Sequence, residues 1–219
     1  MRATIFIGSL KREIEDSNTV RLTALVKSEL EDYGVEVKLR YLRSRRIAPG
    51  VEFDPGDSWD QASEYYEDIH DSEIIIFATP TWWGIQSSLV AALQERFSGY
   101  DDEYISTGKS PLYNKVFGCI ITASNDGFQH IQGNLYSFAV NMGMTVPPEA
   151  AATWGTVVGS EKNPVDNAET MNQVKNMSRN LYLWARTINE LKLGSLALEI
   201  KPGRVGRDVT DTLQSSNKD

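Results

Sequence analysis

The chain has 219 residues, enough for one large domain with its own buried core, and acidic side chains outnumber basic ones by 30 to 22. The net charge of −8 disfavours nucleic acid and anionic lipid as partners, and no apolar run approaches the roughly 20 residues of a membrane helix. Ile5-Phe6-Ile7 passes directly into Lys11-Arg12-Glu13, too short for a signal-peptide core, and the single Cys119 has no partner for a disulfide and no Cys/His cluster around it, so a cytoplasmic protein without a metal is expected.

Ala3 to Ile7 form a β-rich run that stops at Gly8-Ser9, a buried strand arriving at a loop. Leu22, Leu25, Val26, Leu30 and Tyr33 then recur at helical spacing before Gly34. Val35, Val37, Leu39 and Tyr41 alternate with charged residues, which predicts a second strand near the sheet edge. After a polar stretch, a helix is expected from Asp57 or Ser58 to His70, with Ser58 and Gln61 at capping-box spacing. Ile74 to Ala78, apolar on both faces, reads as a central parallel strand, and Leu89, Val90, Leu93 and Phe97 as a helix ending near Gly99. Asp101 to Asn114 reads as a polar insertion. Val116 to Ala123 is a buried strand, Phe128 to Met142 a helix, and the stretch through Val146 and Trp154 to Val158 a fifth strand. Val174, Met177, Leu181, Trp184, Ile188 and Leu191 form the stripe of a last long helix. Strands joined through helices in one sheet are parallel with right-handed crossovers, so the expected class is a doubly wound five-stranded α/β sheet whose strand order periodicity leaves open.

Ligands of such sheets bind beyond the carboxyl ends of the strands, which singles out Ser9 to Thr19, Pro80 to Ser87 and Ser124 to Phe128. The first segment offers hydroxyls, a lysine and a helix N-terminus, which suit a phosphate or simply cap the helix. In the second, Trp82-Trp83-Gly84 offers flat apolar walls for a planar ligand, or two indoles for the core or a subunit contact. The third, Ser124-Asn125-Asp126-Gly127, has the composition of a turn. Neither a G-x-G-x-x-G nor a P-loop sequence is present.

Gly8-Ser9-Leu10-Lys11 leading to Ser17-Asn18-Thr19, then Ala78-Thr79-Pro80-Thr81-Trp82-Trp83-Gly84 with Ser87-Ser88-Leu89, and Gly118 to Gly127 followed by Asn141 to Val146, resemble the flavodoxin-like NAD(P)H-dependent FMN reductases and quinone reductases over about residues 1 to 160. The resemblance implies a sheet ordered 2-1-3-4-5 with FMN bound noncovalently at its carboxyl edge. By that likeness Ser9, Lys11, Ser17, Asn18 and Thr19 hold the phosphate, Pro80, Thr81, Trp82, Trp83 and Gly84 line one side of the isoalloxazine, and Asn125, Asp126 and Gly127 meet its other edge. The implied activity passes electrons from NAD(P)H through FMN to a small acceptor such as a quinone or free flavin. His130 is a weak candidate for the open flavin face, and the Arg40, Arg43, Arg45 and Arg46 cluster is either a solvated loop or a patch for the extra phosphate of NADPH. Cys119, within an apolar strand, reads as an inert core residue.

Two alternatives use the same scaffold: a flavodoxin-like electron carrier, and a cofactor-free interaction module. A receiver domain is set aside, because Gly8-Ser9 and Thr79-Pro80 stand where it needs acids. The expected division is a flavodoxin-like domain over 1–192 and a C-terminal extension over 193–219. Tyr104, Ile105, Leu112 and Tyr113, with Leu196, Leu198 and Ile200 of the extension, are apolar groups in search of a partner, so a homodimer or tetramer is expected.

Overall fold

The computed structural model describes residues 1–191 apart from 45, 53–55, 58, 109, 125 and 156–162. Asn125, Arg45, Ser58, Val158 and the extension over 193–219, each named above, therefore lie outside the described residues. Along the chain come β1 (Arg2–Ile7), α1 (Asn18–Asp32), β2 (Glu36–Tyr41), α2 (Tyr66–Asp71), β3 (Ile74–Trp82), β4 (Ile85–Gln86), α3 (Ser88–Arg96), α4 (Gly99–Thr107), β5 (Val116–Ala123), α5 (Phe128–Asn141), β6 (Ala151–Gly155) and α6 (Ala168–Glu190). The parallel strands lie in the order β2-β1-β3-β5-β6, and β4 pairs antiparallel with the end of β3. Without that short hairpin strand the order is the expected 2-1-3-4-5.

Period-2 alternation on the buried strands feeds two cores. Ile74, Ile76 and Ala78 of β3 join Leu22, Val26 and Leu30 of α1 and Val174, Met177 and Leu181 of α6 on one face. Ile75 and Phe77 face the other way, where Phe77 meets Phe97, Phe117 and Phe138 at ring-centroid distances of 5.5, 5.3 and 5.8 Å. Cys119 is fully buried there, and burial pushes its thiol up to about 12, against a smaller downward pull from Tyr136, as an inert core residue requires.

Three expectations about elements need correction. Residues 101–107 are not part of an irregular insertion but of helix α4: Asp101 and Asp102 sit in its first turn, where the helix dipole favours acids, and Gly108, at φ 71, closes it with its N–H on the Tyr104 carbonyl (2.8 Å). Its stripe buries little beyond Tyr100, so periodicity was weak. The helix expected from residue 57 begins later, as a 3-10 turn over Ala62–Tyr65 that runs into α2. Gln61 accepts from the Arg46 N–H (3.2 Å) and donates to Glu64 (3.3 Å), while the Ser58 expected to cap with it lies outside the described residues. Asp60 accepts from the Ala62 N–H (2.9 Å) with one oxygen and faces Arg96 with the other (3.0 Å), so this stretch is shaped by α3. Finally, the buried stripe of α6 runs through Val174, Met177, Ser178, Leu181, Ala185 and Ile188, leaving Trp184 and Leu191 exposed at its margin. Two positions of the expected stripe lay a fraction of a turn off the face that meets the sheet.

Arg40, the member of the basic cluster that lies within β2, is also less free than composition suggests. Arg40 and Lys38 both bond the carboxylate of Asp68 on α2, a side chain only 2% exposed. Burial pushes the Asp68 carboxyl up, but the hydrogen bonds from Arg40 and Lys38 outweigh it and hold the group below the usual carboxylate range. Arg40 in turn is raised, first by its bond to Asp68.

Candidate functional site

The carboxyl ends of β1, β3 and β5 bring the three singled-out segments together. The first opens at Gly8, whose N–H donates to the Ala78 carbonyl (2.7 Å) while its Cα lies against α3: a Cβ there would stand 2.5 Å from Val90 Cγ2 and 2.6 Å from Ser87 Oγ. Only glycine fits this close approach. Ser9 and Ser17 are buried and share a hydrogen bond between their hydroxyls (2.6 Å), which closes the loop on itself. Ser17 Oγ also accepts from the Val20 N–H (3.3 Å) as the cap of α1. Asn18 opens the helix, whereas the Thr19 hydroxyl is bonded to Thr122 on β5 (2.7 Å). Lys11 and Arg12 are exposed beside the loop. So are Glu13, Glu15 and Asp16, which a short 3-10 turn carries into solvent, where their repulsion of an anion in the loop is screened.

The second segment is a tight hairpin rather than an open loop. Thr81 pairs with Gln86 and Trp82 with Ile85, leaving Trp83 and Gly84 as a two-residue connection with φ of 53 and 79, the signature of a type I′ turn. Gly84 is the usual residue there, but a bulky side chain at positive φ costs about 1 to 3 kcal/mol. Trp83 bears that strain without compensating burial, for it is 98% exposed, and Trp82 is 50% exposed. The indoles therefore do not pack into the core of this chain. At the base, Thr79 accepts from the Ser87 N–H (2.9 Å), and Ser87 caps α3.

The third segment closes on the second. Gly127, at φ 80, approaches so closely that a Cβ would meet Thr81 Cγ2 at 2.8 Å and the Gly84 backbone at 3.0 Å. Asp126 is exposed, as is His130 in the first turn of α5. Between these loops Thr81 Oγ1 is buried and has no hydrogen-bond partner among the described residues. A native structure rarely leaves a buried hydroxyl so, and a polar group of a ligand is one way to satisfy it.

Residue-type reasoning overlooked the hairpin itself, although an X-Gly pair flanked by Thr81-Trp82 and Ile85-Gln86 was its signal. Thr79 and Ser87, quoted there within the motif, were given no role of their own, because the bond from the Ser87 N–H to the Thr79 hydroxyl is one that no spacing shows.

Fold and loops together define a flavodoxin-like α/β protein with its ligand edge at the carboxyl ends of the strands. Residues 1–158 match the model of the NADPH-dependent FMN reductases, and the chain belongs to that family. A divalent metal cation transporter MntH of Mycobacterium bovis is 29% identical over 157 residues, 70% of this chain and 23% of that protein. The 8-demethyl-8-aminoriboflavin-5'-phosphate synthase of Streptomyces davaonensis is 26% identical over 163 residues, 70% of this chain and 63% of that one. The chain thus spans less than two thirds of the length of either curated relative. Among solved structures, RosB with the bound intermediate 8-demethyl-8-formylriboflavin-5'-phosphate superposes with a TM-score of 0.73 at 22% identity, covering 100% of this chain and 88% of its own. FerB, an NAD(P)H:(acceptor) oxidoreductase from Paracoccus denitrificans, gives 0.61 at 16% identity, with 85% and 97% covered. Among the described residues no helix is long and apolar enough to cross a membrane.

Proposed function

We propose that this chain binds FMN at the carboxyl edge of its sheet and serves as an NAD(P)H-dependent reductase of a small acceptor such as a quinone or free flavin. The observation that carries the reading is the junction of the second and third segments, where Gly127 lies close against Gly84 and the Thr81 hydroxyl is buried without a hydrogen-bond partner among the described residues. The residues fit the group: Ser9, Ser17, Asn18 and the first turn of α1 suit its phosphate, with Lys11 alongside. Pro80, Thr81, Trp82, Trp83 and Gly84 would border one side of the ring system, with Asn125, Asp126 and Gly127 at its other edge. When bound, FMN supplies the redox chemistry, accepting a hydride and releasing two electrons. The chain's own part is positional. Trp82 and Trp83 give an apolar wall, the closed glycine contacts limit water, and the Thr81 hydroxyl would donate to a ligand oxygen or accept from a ligand N–H. His130, exposed one turn into α5, is kept as a proton donor on the open side.

The strain at Trp83 supplies the test. Trp83→Asn makes an Asn-Gly type I′ turn, so the protein without ligand is expected to gain about 1 kcal/mol of stability, while FMN binding weakens by about 1 to 3 kcal/mol with the loss of an aromatic face. Thermal melting and a flavin fluorescence titration measure the two. A variant that binds FMN as tightly as the unsubstituted chain would refute a ligand role for this indole.

A second reading rests on the longer structural match to RosB, whose structure holds the intermediate 8-demethyl-8-formylriboflavin-5'-phosphate: on that reading FMN would be a substrate of this chain, altered in its ring, rather than a retained cofactor. Mass spectrometry of the flavin recovered after turnover separates the two: unchanged mass supports the reductase.

Assembly is part of the proposal. Leu112 is buried within this chain's own core and is no longer available to a partner, but Ile105 on α4 is 68% exposed, a second apolar projection of the surface in addition to the Trp82-Trp83 hairpin. A twofold dimer that covers such groups is expected, and light scattering at micromolar concentration is expected to give twice the chain mass or more. A monomer mass would remove this part.

A further inference from the structure

Three carboxamides from separate elements meet beside the tryptophan hairpin. Gln86 of β4 donates through Nε2 to Gln94 Oε1 of α3 (2.8 Å) and to Asn134 Oδ1 of α5 (3.0 Å), and Gln94 Nε2 donates to the same Asn134 oxygen (3.3 Å). The need for such a tie is visible in the strand itself. β4 has two residues and pairs only with the end of β3, and a two-stranded ladder of that length holds little by itself. The turn it must hold relaxes if released, because Trp83 stands at φ 53 and its fully exposed indole makes no packing contact that would keep it there. Gly127, at the start of α5, lies close against Gly84, and the amides hold the returning strand to α3 and α5.

We propose that Gln86, Gln94 and Asn134 form a positioning clamp that keeps the Trp82-Trp83-Gly84 turn in its ligand-receiving shape. The consequence for flavin rests on the FMN reading above; the clamp itself does not. None of the three is a catalytic residue, since each acts through the hairpin. Their bonding pattern also separates this role from mere helix stability. Asn134 takes part through Oδ1 alone, as an acceptor, so Asn134→Asp keeps both bonds whereas Asn134→Leu removes them at similar volume.

The test uses the full chain labelled with 5-fluorotryptophan. Its five tryptophans give five fluorine resonances, and Trp82→Phe and Trp83→Phe assign the two in the hairpin. In the protein without ligand, Asn134→Leu is expected to shift the Trp82 and Trp83 resonances and leave those of Trp59, Trp154 and Trp184 in place. In a titration it is expected to weaken FMN binding about tenfold, with Asn134→Asp within about twofold of the unsubstituted chain. Unmoved hairpin resonances in Asn134→Leu, or an Asn134→Asp that behaves like it, would overturn the clamp. If Asn134→Leu unfolds and moves all five, Gln86→Ala removes the β4 arm without touching a helix, and the same two resonances must then shift for the clamp to stand. Failure of the unsubstituted chain to bind FMN removes the flavin reading alone, because the resonances are read without ligand.

Discussion

Gly8→Ala is expected to lower the unfolding free energy by about 2 to 3 kcal/mol and to weaken FMN uptake by roughly an order of magnitude. The added methyl would stand 2.5 Å from Val90 Cγ2 and 2.6 Å from Ser87 Oγ. Neither neighbour gives way cheaply. Val90 is fully buried and β-branched, and Ser87 is fixed by capping α3 and by donating its N–H to Thr79. The loop must therefore lift, which strains the Gly8 bond to Ala78 and moves Ser9 away from Ser17, the pair expected beside the phosphate. For a chain of this size the melting temperature should fall by roughly 5 to 10 °C. Gly133→Ala is the control: nothing lies within 4 Å of its Cβ position inside helix α5, so there the same added methyl should stabilise by up to about 1 kcal/mol. Melting curves and flavin titrations of both variants measure the effect, and a Gly8→Ala protein that melts and binds like the parent would show that the contact has room to relax.

Asp68→Asn is expected to cost about 2 to 3 kcal/mol at neutral pH. Removing one partner of a buried ion pair typically costs 3 to 5 kcal/mol, but here Lys38 is 53% exposed and Arg40 25%, so water recovers part of their solvation and the lower figure applies. The acid side of the stability profile should change with it. The native carboxyl titrates below its unfolded value, so its contribution is complete above the ordinary carboxylate range and is lost as pH falls through the lower, folded value. Urea midpoints for the parent and Asp68→Asn should accordingly converge as pH is lowered below the ordinary carboxylate range and differ most near neutrality. Parallel curves at all pH values would contradict the assignment of this carboxylate as the source.

Much of the fold was legible in the residues themselves. Ile74 to Phe77 and Val116 to Ile121 are apolar on both faces, which only a central strand covered by helices on both sides accommodates, and the β2 alternation marked an edge. The alternation of such strands with helical stripes dictates parallel pairing, and the loop sequences pointed to the order later seen. Gly8-Ser9, Trp82-Trp83-Gly84 and Gly127 were also readable as segments that meet at the carboxyl edge of the sheet, because a glycine beside a hydroxyl or an aromatic residue at a strand end is a local signal. What the sequence by itself could not determine depends on neighbours far away in the chain. Arg40 looks like a free cation until Asp68, 28 residues later, is folded against it, and nothing near Thr19 in the chain announces the hydrogen bond its hydroxyl shares with Thr122 of β5. The α4 helix has too weak a stripe to declare itself and is held through Tyr100 in a core built by α2 and α3. The strained turn at Trp83 is likewise a tertiary decision: its own preference opposes positive φ, and only strand pairing to β4, the press of Gly127 and the amide ties to α3 and α5 overcome that local preference.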